Sequence, residues 1–387
     1  MEKILGVFPS VGFWVINGNI YLDRKFYDGL MLYKKLWEGS LVVFMRKSSV
    51  SIPKFGMVKY DRNEQFKIVN IEQRMVDEID IGKVDVILAS ADDFKNLHIS
   101  KLCKKLSVPC VYYLEYILET RLQINQLSSK TTFKKLKTIV WLLMTEIRRK
   151  IAISHASTLQ ANGTPVFFEY KSKIQTLLYF DTRCTDNMLI SENQLSSRLA
   201  TLNEARPIRL VFSGRLNSMK GVDDLILMTK ILVKKNIDFT LDIFGEGELL
   251  LALQELTNSS LYKERLRVHG AVDFAHELIP YVQKNIDIFV CCHKQSDPSC
   301  TYLETYSCGV PILGYNNKAH AGILQIADVG WSVEMGNVEK LCDAIVELNN
   351  NRAEIVQKSK NAIAFAKANT FYDSFKKRID NCRELVK

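Results

Sequence analysis

Short apolar runs and longer amphipathic segments alternate along this chain, and the alternation restarts past its midpoint. In the first half Ile4–Phe8, Leu41–Met45, Phe66–Ile71, Val84–Ala89, Val108–Leu114 and Thr158–Ala161 read as strands, most of them almost continuously apolar. Parallel strands covered on both faces read this way. Between them, Arg24–Trp37 and Asp93–Leu106 carry apolar residues at helical spacing. Strands alternating with helices predict a doubly wound sheet. Residues 191–206 are polar, rich in Ser, Asn and Gln, and read as a linker. Pro207 then precedes a new series of strands near Arg209–Ser213, Thr240–Phe244, Arg267–His269, Ile286–Val290, Pro311–Gly314 and Gly330–Val333. Helical patterns such as Val222–Lys235 and Val338–Leu348 fill the gaps. The expectation is two α/β domains, 1–190 and 207–370, and a closing helix over 371–387. A length of 387 residues accommodates two cores, and no internal repeat or low-complexity stretch competes with that reading.

The densest chemistry lies in Ser296-Asp-Pro-Ser-Cys-Thr-Tyr-Leu-Glu-Thr-Tyr-Ser-Cys-Gly-Val-Pro-Ile-Leu-Gly314. It follows a buried strand and predicts a loop, a helix from about Thr301 to Cys308-Gly309, and a second buried strand. Glu304 falls in the first helical turn. Backbone N–H groups and the positive end of the helix can hold a diphosphate there, and the acid can accept from sugar hydroxyls. Thr301-x-x-Glu304 is also a capping-box pattern, in which the acid bonds only the helix terminus. Two upstream turns belong with it. Val211-Phe-Ser-Gly-Arg-Leu216 is followed by Lys220-Gly221, and Leu241-Asp-Ile-Phe-Gly-Glu-Gly247 carries Gly245 and Gly247. A guanidinium forks two phosphate oxygens and an ammonium supplies a compact charge; a solvated basic turn is the plainer reading of Arg215 and Lys220. The two glycines permit close backbone approach to a ligand, or a tight strand-to-helix turn. Position 250 is Leu250, not the third glycine of a dinucleotide fingerprint.

Together these segments resemble glycosyltransferase family 4, whose members are retaining enzymes of the two-domain GT-B fold. The resemblance spans about residues 206–350 and is weak in the first half. It implies a nucleotide-sugar donor, with Gly214, Gly245, Gly247, Thr301 and Glu304 on the donor side and Glu304 at the ribose. It implies that Arg215 and Lys220 stabilise the leaving diphosphate, so no metal or other cofactor is expected. The family commonly places a first acid eight positions before the second. Here that position is Ser296, and Asp297 follows it. Either Asp297 takes the role across a one-residue shift, or the first acid is lost. His320 lies in a loop that related enzymes place near the sugar; a surface histidine is the alternative.

In the first domain Gly12 and Asn17-Gly18-Asn19 follow the first strand, and the resemblance places such a loop at the cleft. Glu115 ends a strand and is a candidate to orient an acceptor hydroxyl, or to cap a helix. Arg183 is a candidate for phosphate contact or for pinning the linker. Basic residues Lys130, Lys134, Lys135, Lys137, Arg148, Arg149 and Lys150 flank Ile139–Met144, which includes Trp141. That pattern fits a helix lying on anionic lipid, or a core helix with solvated ends.

A net charge of +9 points to an anionic partner. No aromatic-basic module indicates nucleic acid. Nine cysteines without a C-x-x-C pair read as reduced thiols rather than a zinc site. No run approaches the ~20 apolar residues of a membrane span, and the first apolar stretch reads as a strand rather than a signal peptide. The expected protein is a cytoplasmic glycosyltransferase, peripheral on the inner face of the membrane if its acceptor is a lipid-linked glycan for surface polysaccharide. A nucleotide-sugar epimerase and a non-catalytic sugar-nucleotide binder are the alternatives.

Overall fold

The computed structural model describes residues 2–52, 56–61, 66–72, 75–128 and 130–386. Met1 and Lys387, at the ends of the expected domains, lie outside them. Ten strands belong to the first half: β1 Ile4–Phe8, β2 Trp14–Ile16, β3 Asn19–Asp23, β4 Ser40–Met45, β5 Met57–Lys59, β6 Lys67–Asn70, β7 Val86–Ser90, β8 Cys110–Leu114, β9 Thr158–Asn162 and β10 Thr176–Tyr179. Seven form a parallel sheet in the order β10-β9-β8-β7-β1-β4-β6. β7 and β9 are buried at every residue; the run of β7 is apolar up to Ser90, whereas β9 buries the polar Thr158, Gln160 and Asn162 as well. The other three make a small antiparallel sheet, β2-β3-β5. Asn17 and Gly18, both at positive φ, form the two-residue turn of its hairpin. That turn accounts for the Asn-Gly dipeptide.

The second series is β11 Ile208–Ser213, β12 Phe239–Phe244, β13 Leu266–Gly270, β14 Ile288–Cys291, β15 Ile312–Tyr315 and β16 Gly330–Val333. All pairings are parallel, in the order β13-β12-β11-β14-β15-β16. Numbered within each unit, both parallel sheets run outward from a first strand near the middle, the doubly wound order.

The chain divides into two compact units, one of residues 1–118, 132–179 and 372–387, the other of 119–131 and 180–371. This differs from the expected boundaries in two ways. Residues 191–206 are a folded part of the second unit rather than a linker. Ser191 and Gln194 form a capping box that starts the helix Glu192–Ala200. Leu195, Leu199 and Leu202 are buried from one stripe that the polar composition hides. The arm 119–131 also belongs to the second unit, although the sequence places it in the first half.

The last helix, Phe371–Glu384, completes the first unit. Phe375 packs tilted against Tyr33 with centroids 4.8 Å apart, and Arg378 and Gln160 exchange hydrogen bonds of 2.9 Å. Gly29 lets the helix Arg24–Trp37 approach, since a Cβ there would lie 2.7 Å from the Phe375 ring.

Candidate functional site

β11 and β14 are neighbours, but the chain leaves them toward opposite edges of the sheet. Ligands of open α/β sheets collect at such a switch point, outside the strand C-termini. Two loops leave these ends. After β11, Asn217 Oδ1 accepts from Lys220 N at 3.0 Å and closes a turn over Ser218–Lys220. The turn aims the Lys220 ammonium at the loop after β14, where it donates to Asp297 Oδ2 at 3.2 Å. The side chains are 8% and 13% exposed, so the pair is largely out of water. Asp297 Oδ1 is buried and has no hydrogen-bond partner among the described residues. Arg215 on the same turn is exposed, and among the described residues no ion pair engages it.

Ser296, which stands where the family pattern has its first acid, is a structural junction. Its N–H donates to Gln123 Oε1 at 2.9 Å, and its carbonyl accepts from Thr120 Oγ1 at 3.1 Å. Its hydroxyl accepts from Lys318 N at 3.1 Å, at the start of the helix Lys318–Ile326. Glu119 and Lys318 add an ion pair. The arm and that helix thus fix the residue preceding Asp297. A glutamate at 296 would lose the hydroxyl contact. Nothing in the local sequence signals that Thr120 and Gln123, more than 170 positions away, fold onto this loop.

Glu304 does not cap its helix. The boundary residue of Thr301–Ser307 is Cys300, which makes no side-chain cap. The Thr301 hydroxyl instead accepts from Ser299 Oγ at 3.0 Å. Glu304 Oε1 accepts from Arg183 Nε at 2.8 Å, and the Arg183 guanidinium lies 4.1 Å above the Phe274 ring. The capping-box expectation fails because the helix begins one residue earlier than a cap at Thr301 requires, with Thr301 already inside it. Arg183 pairs with Glu304 across 121 positions, a contact that no local pattern announces.

Gly245 and Gly247 serve the tight-turn alternative. At φ 135° and 157°, added Cβ atoms would lie 1.9 Å from Gly214 O and 2.4 Å from Leu216 O. Only glycine lets the two strand-end turns meet backbone to backbone, tied by Leu216 N to Glu246 O at 2.8 Å. Gly214 N donates to Phe244 O at 3.0 Å in the same seam. Gly12 is likewise packed against backbone, at Arg46 and Ser48. Glu115 follows β8, and its N–H donates to Asp92 Oδ2 at 2.7 Å.

His320 is not a surface residue. It is fully buried and stacks on Tyr302 at 5.7 Å; Nδ1 lies 3.2 Å from Tyr315 O, and Nε2 is unpartnered. His293, in the loop after β14, is also fully buried, and neither ring nitrogen has a partner among the described residues. Burial pushes the His320 pKa down to about 4 and holds His293 well below the usual imidazole range. Between pH 6.5 and about 4 the unfolded state binds protons that folded His320 refuses, so stability falls as pH falls through that window. The His320 contribution amounts to about 3 kcal/mol. His320→Asn is expected to flatten the slope of unfolding free energy against pH over that range, measured by urea denaturation.

The basic helix Thr132–Ser154 presents a second feature, in the first unit. Leu142, Thr145, Glu146, Arg149, Ala152 and Ile153 are buried. Phe133, Leu136, Val140, Met144, Ile147 and Ile151 recur at helical spacing and are 54–78% exposed. Trp141 is 46% exposed and packs edge-on against Phe94 at 5.6 Å. One expected basic residue falls elsewhere. Arg149 is fully buried, paired with Glu146 and donating to Tyr116 O at 2.8 Å.

All nine cysteines are free thiols, eight of them buried. Among the described residues no group of three or more His, Cys, Asp or Glu is placed to hold a metal ion, and no helix is long and apolar enough to cross a membrane.

The family model described as "Glycosyl transferases group 1" matches residues 197–368, which lie within the second unit. A curated relative, 2-deoxystreptamine N-acetyl-D-glucosaminyltransferase of Niallia circulans, is 21% identical over 142 residues. That match covers 37% of this chain and 36% of the relative, so the chain spans about a third of the curated relative's length. Among solved structures, Anabaena HepE in complex with UDP superposes with a TM-score of 0.63 at 14% identity, over 99% of each chain. Sucrose-phosphate synthase from Thermosynechococcus elongatus gives 0.62 at 13% identity, over 99% of this chain and 98% of the other. The fold is GT-B, with two Rossmann-like units, and the last helix returns to the first of them.

Proposed function

We propose that this chain is a retaining glycosyltransferase of the family 4 type, moving a sugar from a nucleotide donor to a carbohydrate acceptor. The observation that carries the reading is the Lys220–Asp297 ion pair, which joins the loop after β11, with Arg215 on it, to the loop after β14 that leads into the helix bearing Glu304, at the switch point of the second sheet. The group 1 match over the same unit supports it, as does the structural likeness to a protein crystallised with UDP.

In this reading the bond between the anomeric carbon and the diphosphate breaks, and the departing diphosphate gathers negative charge. Arg215 is exposed and unpaired in an ion pair among the described residues, so it can fork two phosphate oxygens without breaking an existing pair. Lys220 supplies a second fixed charge in a site shielded from water, where such charges act most strongly. Asp297 takes the first acid's place: Lys220 holds one oxygen, and the buried Oδ1 is left to accept from a sugar hydroxyl. Glu304 accepts from the nucleotide ribose. The protein itself supplies the cations, so transfer is expected to persist in excess EDTA. The anomeric proton coupling of the product, read by NMR during early turnover, tests retention; an inverted product would contradict it.

The acceptor in this proposal is a lipid-linked glycan at the inner face of the plasma membrane. The exposed stripe Phe133–Ile151 would enter the interface, with Lys130, Lys134, Lys137, Arg148 and Lys150 at the headgroups. Each lysine near an anionic surface adds about 1 kcal/mol. Replacing Lys134 and Lys137 together by Glu is therefore expected to weaken binding to phosphatidylglycerol vesicles at least tenfold, measured by sedimentation at low salt. Ile147→Asp should weaken it as well, with little change in salt dependence. A wild-type protein that never sediments with these vesicles contradicts the membrane assignment.

A further inference from the structure

The Arg183–Glu304–Phe274 contact has a geometry that the proposed donor role of Glu304 leaves unused. The neighbours of Arg183 are immobilised. Thr182 and Cys184 are buried, Cys184 N donates to Thr182 Oγ1 at 3.1 Å, and Cys184 Sγ lies 3.3 Å from Ser307 Oγ. Phe371 N donates to Cys184 O at 2.8 Å. The chain on both sides of Arg183 is thus strapped along the helix that carries Glu304, while the Arg183 side chain itself is 48% exposed. One face of the guanidinium is covered by Phe274 at 4.1 Å, and Nε holds Glu304 Oε1 at 2.8 Å. Glu304 is 11% exposed. Its carboxylate therefore has one oxygen fixed by a planar cation that is itself clamped on a ring.

We propose that Arg183, clamped by Phe274, is the positioning residue that presents Glu304 to the ribose diol and so sets discrimination for the nucleoside part of the donor. This rests on the donor-site reading above and adds to it a residue from outside the motif segments. A carboxylate free to rotate would share its hydrogen bonds with water. One held at a single oxygen by a clamped cation keeps its second oxygen available for a hydroxyl, at lower ordering cost. Arg183 touches Glu304 and Phe274, and its effect on the donor is exerted through Glu304.

The test is titration calorimetry with UDP, GDP and ADP, with the 2′,3′-dideoxy counterpart of whichever binds, and with inorganic pyrophosphate. Wild type is expected to prefer the diol form by about tenfold or more, the scale of one hydrogen bond to a charged group. Arg183→Ala should reduce that preference to less than about threefold and leave pyrophosphate affinity unchanged. Arg183→Lys should restore part of it, and Phe274→Leu should lower it with Arg183 intact. The half-exposed pair contributes little to stability, so Arg183→Ala should keep its unfolding midpoint; if it does not fold, Phe274→Leu carries the same test.

Three outcomes would overturn the inference while leaving the donor site standing. They are an unchanged diol preference in Arg183→Ala, tighter nucleotide binding in that variant, and equal losses for nucleotide and pyrophosphate. Failure of wild type to bind any of the nucleotides overturns the donor-site reading and this inference together.

Discussion

Lys220→Ala is expected to abolish most transfer and to destabilise the second unit, two effects that a double variant separates. The ammonium lies 3.2 Å from Asp297, and both side chains are nearly out of water. Removing it strands a carboxylate whose other oxygen is already unpartnered. Breaking one side of a buried pair costs about 3 kcal/mol or more. Adding Asp297→Ala should recover much of that loss, because the stranded charge is gone, and the coupling between the two sites should be large. Transfer should not recover. Losing one preorganised donor to the developing charge typically costs about 10²- to 10³-fold in rate. Equilibrium unfolding and initial rates on the two single variants and the double variant check both halves. Restored transfer in the double variant would mean that Lys220 only neutralises Asp297.

Arg198→Met is expected to give the largest loss of stability. Arg198 sits in the span whose composition reads as a linker, yet it is 4% exposed. Its Nη1 donates to Gln283 O at 2.9 Å and Cys308 O at 2.8 Å, and its Nη2 to Gly309 O at 2.5 Å. These carbonyls end two helices, Ile279–Asn285 and the site helix Thr301–Ser307. A cation there satisfies orphan acceptors and meets the negative ends of both dipoles. Burial pulls its pKa down to about 10, so it stays charged at neutral pH. Methionine fills similar space but leaves the carbonyls unmet. A cost of about 3–5 kcal/mol is expected, or on the order of 10 °C in Tm for a unit of this size. A shift under 2 °C by calorimetry would show that water replaces the guanidinium. Arg198→Lys should fall between, since an ammonium cannot fork to both helix ends.

Most of the parallel strands were legible in the sequence as short apolar runs; β10, Thr176–Tyr179, was not among the expected strands. The helix Arg24–Trp37 was legible to the residue: Asp23 accepts from Phe26 N at its start, and Glu38 adopts the left-handed conformation at its end. The small antiparallel sheet was not. Its strands are three to five residues long, and the Asn17-Gly18 turn that marks it is as readily read as a loop. The segment 191–206 misled because three leucines carry its burial while polar residues dominate its composition.

At the site, the residues next to strand ends were legible, and the Lys220–Asp297 contact follows from the order of β11 and β14. What pairs across more than 100 positions was not. Arg183 with Glu304, and Thr120 and Gln123 with Ser296, depend on how the two ends of the second unit are brought together. The sequence around each carries no trace of its partner. His320 was ambiguous for a related reason: it lies in the first turn of the helix Lys318–Ile326, stacked on Tyr302 from a distant turn of the chain and set against the Tyr315 carbonyl.

The most direct test of the donor site is thermal stabilisation by UDP-, GDP-, ADP- and CMP-sugars, measured on wild type and on Arg215→Ala. Arg215 is exposed and engaged by no ion pair among the described residues, so its removal should leave the unliganded Tm unchanged. Wild type should be stabilised by sugars on one base, by the amount that mass action at the measured Kd requires. Arg215→Ala should lose at least tenfold in affinity for the same compound, about the contribution of one charge-assisted phosphate contact, while the free nucleoside binds both proteins equally. A wild-type protein stabilised by none of these sugars, or an Arg215→Ala variant that binds them as tightly, would contradict the site assigned to this chain.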